Sequence, residues 1–353
     1  MGSLSTSVLA LIFVIAAAAT WIAGIGLAKT TDTIDRRFGL GEALGGLILL
    51  AIAGSLPELA ITISAAAKGN LGLAAGNLIG GIAIQTMVIV ICDAAASRTQ
   101  ALSFLVGSLV PVLEGLLVIL VVAEVLMGAL LPEHVRIGSM SPASIAIVVS
   151  WVLGVYVLNR ARNSPAWEIE MPGAKPGRPH HRVEPPPSAP PSRLTSSTAR
   201  AAVVFAGACV VTLLAGVALE LSGDRLATKA GVNGVIFGAT VLAAASALPE
   251  ISSGIAAVRL GDHQLAVADI FGGNAFQVCL FLVADLIAGK PVLPRSGHLN
   301  SWLAGLAIVL TIVYAAGVIV RPRRCYIRLG VDSIVVVGLF AIGLAGLFAI
   351  SHG

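Results

Sequence analysis

Long apolar runs separated by short polar stretches organise this chain from end to end. Crossing a bilayer takes about 20 residues at 1.5 Å rise per residue. Runs of that kind recur near 6–28, 41–67, 71–96, 101–131, 141–159, 200–221, 232–258, 264–288, 300–320 and 329–350. The pattern predicts an all-α polytopic membrane protein of ten transmembrane helices. Polar residues inside the runs are few and grouped. In the second run Gly45, Gly46, Ala51, Ala53 and Gly54 make a small-residue face for close helix approach, and Pro57 and Glu58 then interrupt it. In the third, Asn77, Gly81 and Gln85 fall at i, i+4 and i+8, one helix face. A polar stripe in lipid faces protein or water. The fourth run carries Pro111, Glu114 and Glu124.

The proline-glutamate interruption occurs twice. Ala53-Gly54-Ser55-Leu56-Pro57-Glu58 is answered by Ala245-Ser246-Ala247-Leu248-Pro249-Glu250, and laying Glu250 on Glu58 sets a shift of 192 residues. Under that shift Thr20, Gly24 and Asp32 meet Thr212, Gly216 and Asp224, and Gly80, Gly81, Gln85 and Asp93 meet Gly272, Gly273, Gln277 and Asp285 without a gap. Such duplication underlies many transporter folds. Each half holds five spans, an odd number, so the halves enter the membrane in opposite orientation as inverted five-helix repeats. Residues 1–160 form the first repeat and residues 200–353 the second. Residues 161–199, rich in Pro, Ser and Arg, form a cytoplasmic linker with too few large apolar residues for a core. The inverted arrangement gathers helices 2, 3, 7 and 8 around a shared centre.

Composition excludes a soluble domain: 57% of residues are hydrophobic and 11% charged, against about 25% charged in soluble domains. The first run lacks the basic segment of a signal peptide. Met1-Gly2-Ser3-Leu4-Ser5-Thr6 fits only the loose myristoylation pattern. Cys92, Cys209, Cys279 and Cys325 are widely spaced and read as small core residues. The six histidines fall in loops or at helix ends, which leaves no metalloprotease motif in the spans. The net charge of +4 does not imply nucleic acid, because basic residues sit between spans. With both termini outside, sixteen of the 22 basic residues fall in inner segments, among them Arg36, Arg37, Arg98, Arg259, Arg321, Arg323 and Arg324. The positive-inside rule therefore expects a plasma or inner membrane protein with external termini and a cytoplasmic linker.

Glu58 and Glu250 lie near mid-bilayer, where a charge costs at least ~2.5 kcal/mol. Two facing carboxylates repel unless a proton or cation neutralises them. Pro57 and Pro249 have no N–H for the carbonyls of Ala53 and Ala245, which become oxygen ligands beside the carboxylates. Such a flexible all-oxygen site suits Ca²⁺ better than Mg²⁺; Na⁺ and protons can use the same oxygens. Ser55, Ser246, Gln85 and Gln277 are further candidate ligands, with interhelical packing as their alternative role. Asn77 and Asn274 are more readily helix contacts, Asp93 and Asp285 solvated interface charges, and Glu114 either a proton relay or a packed acid. No cofactor is implied. The expected partners are the lipid bilayer and transported inorganic cations. A Na⁺/H⁺ exchanger and a non-transporting scaffold stand as alternatives, and the spans offer no nucleophile-base arrangement for an enzyme.

At these residues the chain resembles the cation/Ca²⁺ antiporter superfamily, sodium/calcium exchanger type, whose two repeats carry a Gly-Thr-Ser-x-Pro-Glu helix followed by a Gly-Asn-x-x-Gly-Ser-Asn-x-x-Asn/Asp helix. The second motif reads here Gly76-Asn77-Leu78-Ile79-Gly80-Gly81-Ile82-Ala83-Ile84-Gln85 and Ala268-Asp269-Ile270-Phe271-Gly272-Gly273-Asn274-Ala275-Phe276-Gln277. The resemblance implies that Glu58 and Glu250 bind Ca²⁺ and Na⁺ alternately while two peripheral helices slide past the core. It extends the candidate set to Asn77, Asp269 and Asn274. The departures are specific. The threonine that ligates Na⁺ in the family is Gly54 and Ser246, the serines of the third and eighth helices are Gly81 and Gly273, and the closing amide or acid is lengthened to Gln85 and Gln277. Lost hydroxyls weaken the case for several bound Na⁺ and leave proton exchange a rival. The central loop is shorter than the ~50 residues of a small folded domain, so no sensing domain is expected.

Overall fold

The computed structural model describes residues 4–38, 51–97, 99–162 and 198–352. Residues 163–197 of the expected linker and the start of the second run fall outside these residues, and the two residues at either end of that linker belong to helices. The helices are α1 (Thr6–Phe38), α2 (Leu56–Ala67), α3 (Leu71–Ala96), α4 (Val110–Ala129), α5 (Pro142–Arg162) and α6 (Thr198–Ala230). Then come the two-part α7 (Gly234–Ser246 and Leu248–Arg259), α8 (His263–Gln277, continued by Leu280–Ala288), α9 (Gly297–Val320) and α10 (Val331–His352). Among the described residues eight helices are long and apolar enough to cross a membrane, nine with two-part α7. The 12-residue α2 is shorter, so the described residues show eight or nine of the expected ten spans.

The helix breaks fall where proline dictates. Pro57 and Pro249 each occupy the first turn of a new helix, where a missing N–H leaves no bond unmade. The preceding residues, Ser55 (φ −83°, ψ 9°) and Ala247 (φ −81°, ψ 3°), share one non-helical conformation and are themselves 192 positions apart. At Ala247 the two parts of α7 bend by 44°. A five-residue π-helical stretch, Gly238–Leu242, precedes this bend. The fourth run departs from expectation. Gly107, at φ 66°, separates a single turn (Leu102–Leu105) from α4, and Pro111 lies in the first turn of α4.

Helices α2, α3, α7 and α8 pack together at the centre, as expected. Outside them α1 and α6, each 33 residues and so about 50 Å long, lie along one another. Each crosses the broken helix of the opposite repeat at its proline. A β-carbon on Gly24 of α1 would strike Pro249, and one on Gly216 of α6 would lie 2.8 Å from the Pro57 carbonyl oxygen. Only glycine permits both crossings.

Asp93 and Asp285, expected at a solvated interface, are instead buried, at 1% and 0% exposure. Asp93 Oδ1 accepts from the Leu102 amide at 2.6 Å, and its Oδ2 accepts from the Gly330 amide at 2.7 Å and the Ser333 hydroxyl at 2.5 Å. Asp285 Oδ1 accepts from the Val292 amide at 2.7 Å and its Oδ2 from the Ser141 amide at 2.8 Å. Each aspartate thus holds its own following loop and the start of the last helix of the other repeat. Unbonded amides in those buried turns would cost about 1–3 kcal/mol each, which explains why a side chain with two acceptor oxygens is retained there.

Candidate cation site

The two broken helices present their glutamates to one another. Glu58 is fully buried and neither carboxylate oxygen has a hydrogen-bond partner; Glu250 is 8% exposed and its Oε2 has none. Glu250 lies within electrostatic reach of both Glu58 and Asp269. The residues three positions before each proline complete a reciprocal arrangement: with 192 residues between each equivalent pair, the hydroxyl of Ser246 stands beside Glu58, and Gly54 stands beside Glu250. A β-carbon at Gly54 would be 3.6 Å from Glu250 Oε1. One glutamate therefore meets a hydroxyl and the other meets open space.

That space is a cavity of about 20 Å³, room for one water or one bare cation, lined by Ala51, Gly54, Pro249, Glu250, Ser253, Asp269 and Gly273, with Gly24 and Leu27 of α1 closing it. Ser253 Oγ donates to Asp269 Oδ2 at 2.9 Å. By position these residues lie toward the membrane face that carries the α7–α8 turn. On the opposite face α2 and the turn after it are tied to α6. Buried Glu220 of α6 accepts from Ser64 Oγ at 2.6 Å and from Lys68 Nζ at 2.7 Å, and Asn70 Nδ2 donates to Asp224 Oδ1 at 2.6 Å. The positions equivalent to Ser64, Lys68 and Glu220 are Ala256, Leu260 and Ala28, which cannot repeat the tie.

The two glutamines meet directly. Gln85 Nε2 donates to Gln277 Oε1 at 3.1 Å, and Gln277 Nε2 donates to the Leu78 carbonyl at 2.8 Å. A carbonyl only accepts, so Leu78 fixes which end of the Gln277 amide faces α3. That amide occupies the ground above Gly81, where a β-carbon would strike it; above Gly273, the equivalent position, no described residue lies within 4 Å.

Of the sequence candidates, Glu250 and Asp269 line the cavity, and Glu58 lies deeper within reach of Glu250. Ser246 adjoins Glu58, although its hydroxyl donates to the Ala243 carbonyl at 3.2 Å. Ser55 Oγ is bonded to the Ala51 carbonyl at 2.8 Å. Ala53 and Ala245 are buried behind the breaks and do not line the cavity, and the same holds for Asn77 and Asn274, whose side-chain amides have no partners. Gln277 is committed to packing, while Gln85 Oε1 remains without a partner. Glu114 is buried in α4, away from the cavity lining. Sequence reading missed Ser253 and the α1 residues; Gly24 and Leu27 carried a signal in their shift partners Gly216 and Leu219, and Ser253, whose equivalent is Ile61, carried none.

The sodium/calcium exchanger protein family matches residues 8–159 and 200–350, both halves of the chain. The chain belongs to that family. Among curated relatives, a provisionally named antiporter, CaxA of Alkalimonas amylolytica, is 26% identical over 293 residues, 79% of this chain and 82% of the relative. The inner membrane protein YrbG of Escherichia coli (strain K12) is 24% identical over 277 residues, 78% of this chain and 76% of that protein. Among solved structures, the H⁺/Ca²⁺ exchanger CAX superposes with a TM-score of 0.67 at 14% identity, covering 97% of this chain and 86% of CAX. A sodium-calcium exchanger NCX_Mj structure gives 0.57 at 13% identity, over 96% of this chain and 98% of that one. At these identities the structural likeness is one of fold. This exchanger-family chain is thus a multi-pass membrane transporter of the two-repeat fold, not an enzyme.

Proposed function

We propose that this exchanger-family protein is a secondary-active antiporter that moves Ca²⁺ or a similar divalent cation against a counter-ion by alternating access. The observation that carries the reading is the pair of buried, unpartnered carboxylates, Glu58 and Glu250, at equivalent breaks of two helices. A buried unpaired carboxylate is costly, and a cation or a proton removes that cost. Because Glu58 and Glu250 lie in reach of one another, a divalent cation neutralises both at once, and two protons do the same in exchange.

H⁺ is the better-supported counter-ion. Gly54, Gly81 and Gly273 offer no side-chain oxygen, and an amide nitrogen of Gln277 covers Gly81. Na⁺ needs such oxygens, whereas a proton needs only the carboxylates. The Na⁺-coupled reading keeps one support, the Ser246 hydroxyl beside Glu58. The positive-inside bias orients the α7–α8 turn and the linker toward the cytoplasm and both termini outward. Calcium uptake into proteoliposomes, driven in turn by an imposed pH gradient and an imposed Na⁺ gradient, tests the proposal. The pH gradient is expected to drive the larger flux; flux under neither gradient would end the antiporter reading, and Na⁺/H⁺ exchange indifferent to Ca²⁺ would replace it.

A further inference from the structure

Around the two glutamates, four differences between the repeats point the same way. Asp269 stands where the first repeat has Asn77, and Ser253 where it has Ile61. Gly54 leaves space beside Glu250 where Ser246 fills it beside Glu58, and Gly273 is open where Gly81 is covered by the Gln277 amide. Since the repeats are inverted, equivalent residues lie toward opposite membrane faces. All four differences therefore add negative charge or room on the side of the α7–α8 turn and withhold them on the other.

We propose that Glu250 and Asp269, with Ser253, form a capture subsite for a divalent cation, reached from the α7–α8 face and lying ahead of the Glu58–Glu250 pair. The proposal rests on the antiporter reading above and specifies how its site is approached. Glu250 lines the cavity, nine-tenths buried and with Oε2 unpartnered. Ser253 donates to one oxygen of Asp269, at 2.9 Å, and holds the carboxylate with its other oxygen available. Two carboxylates around a cavity of about 20 Å³ supply a compact double negative charge and hard oxygen ligands, the chemistry that retains Ca²⁺ or Mn²⁺ over a monovalent ion. Ionisable groups at this depth normally line ion pathways. Asn77, neutral and fully buried, provides no such group on the opposite approach. Half-saturation for the divalent cation should accordingly be lower on the α7–α8 face.

The test is Ca²⁺ transport by full-length protein in vesicles of known orientation, with half-saturating Ca²⁺ measured separately on each face. Asp269→Asn keeps an acceptor for Ser253, so the fold is retained and an unchanged melting temperature checks it. The expected result is a rise of about tenfold or more in half-saturating Ca²⁺ on the α7–α8 face, since ligand charge sets Ca²⁺ affinity, with little change on the other. Asp269→Glu, which restores the charge, is expected to recover most of the loss. No change on either face, or equal change on both, would overturn the subsite while leaving the antiporter reading intact. Absence of any Ca²⁺ transport by the unaltered protein would remove the antiporter reading itself.

Discussion

Gln85 hydrogen-bonds to Gln277 at 3.1 Å, and the two are 192 residues apart, the spacing that relates the repeats. A residue that bonds to its own symmetry mate lies beside the pseudo-two-fold axis. The bond is nonetheless one-sided, because Gln277 turns its amide nitrogen to Leu78 and fills the ground above Gly81. The missing hydroxyl at position 81 and the long amide at 277 are therefore one structural change.

A double-mutant cycle checks this. Gly81→Ser alone is expected to lower the melting temperature in detergent, because the new side chain meets Gln277. Gln277→Asn alone frees the Leu78 carbonyl and is also destabilising. Combined, the two are expected to be less harmful than their sum, with coupling of about 1 kcal/mol or more. Simple additivity would separate the two positions.

Gly54→Thr tests the choice of counter-ion. A β-carbon at this position stands at ordinary contact distance, 3.6 Å from Glu250 Oε1, so the hydroxyl fits and gives Glu250 what Ser246 gives Glu58. Na⁺-driven Ca²⁺ flux is expected to rise by about fivefold, the equivalent of one added polar contact worth ~1 kcal/mol. Unchanged Na⁺ dependence would show that the missing hydroxyl at position 54 does not decide coupling.

Asp93 and Asp285 are expected to govern stability and not ion affinity. Asp285→Ala leaves the Ser141 and Val292 amides without their acceptor and should cost about 2–4 kcal/mol, read as a lowered melting temperature, with half-saturating Ca²⁺ unchanged in protein that remains folded. A changed affinity with unchanged stability would reverse the assignment.

The closure between α2 and α6 predicts an effect on conformation. Glu220→Gln removes the ion pair with Lys68 while keeping an acceptor for Ser64. A cysteine placed at Ser253, in protein whose native cysteines are replaced, reports opening toward the α7–α8 face. Its labelling is expected to slow by about fivefold, as loss of a buried charged bond worth ~1–3 kcal/mol shifts the population. Unaltered labelling would mean that this tie does not hold the conformation.

Much of this fold is legible in the sequence, for local reasons. Proline cannot donate a backbone hydrogen bond, so Pro57 and Pro249 announced the breaks, and the 192-residue shift announced the pairing of their glutamates. Asp93 and Asp285 were not legible as caps, because their partners include Gly330 and Ser141, 237 and 144 residues away. A signal did exist: Ser141 and Ser333 obey the same 192-residue shift as the aspartates they meet. Ala53 and Ala245 looked like ligands because proline strips their carbonyls of a donor, yet packing at the breaks turns Gly54 and Ala51 toward the cavity instead. Asp269 gained its significance only when Ser253 and Gly54, from different helices, were found around the same cavity.

The central claim is that Glu58 and Glu250 form one site, and Ca²⁺ binding by calorimetry to Glu58→Gln, Glu250→Gln and the double variant tests it most directly. Removing one of two carboxylates that neutralise a buried divalent cation leaves a charge uncompensated, at about 3 kcal/mol or more, so each single variant is expected to lose about 100-fold or more in affinity, and the double variant less than the two losses added. Wild-type Ca²⁺ binding by either single variant, or losses that simply add, would contradict a shared site.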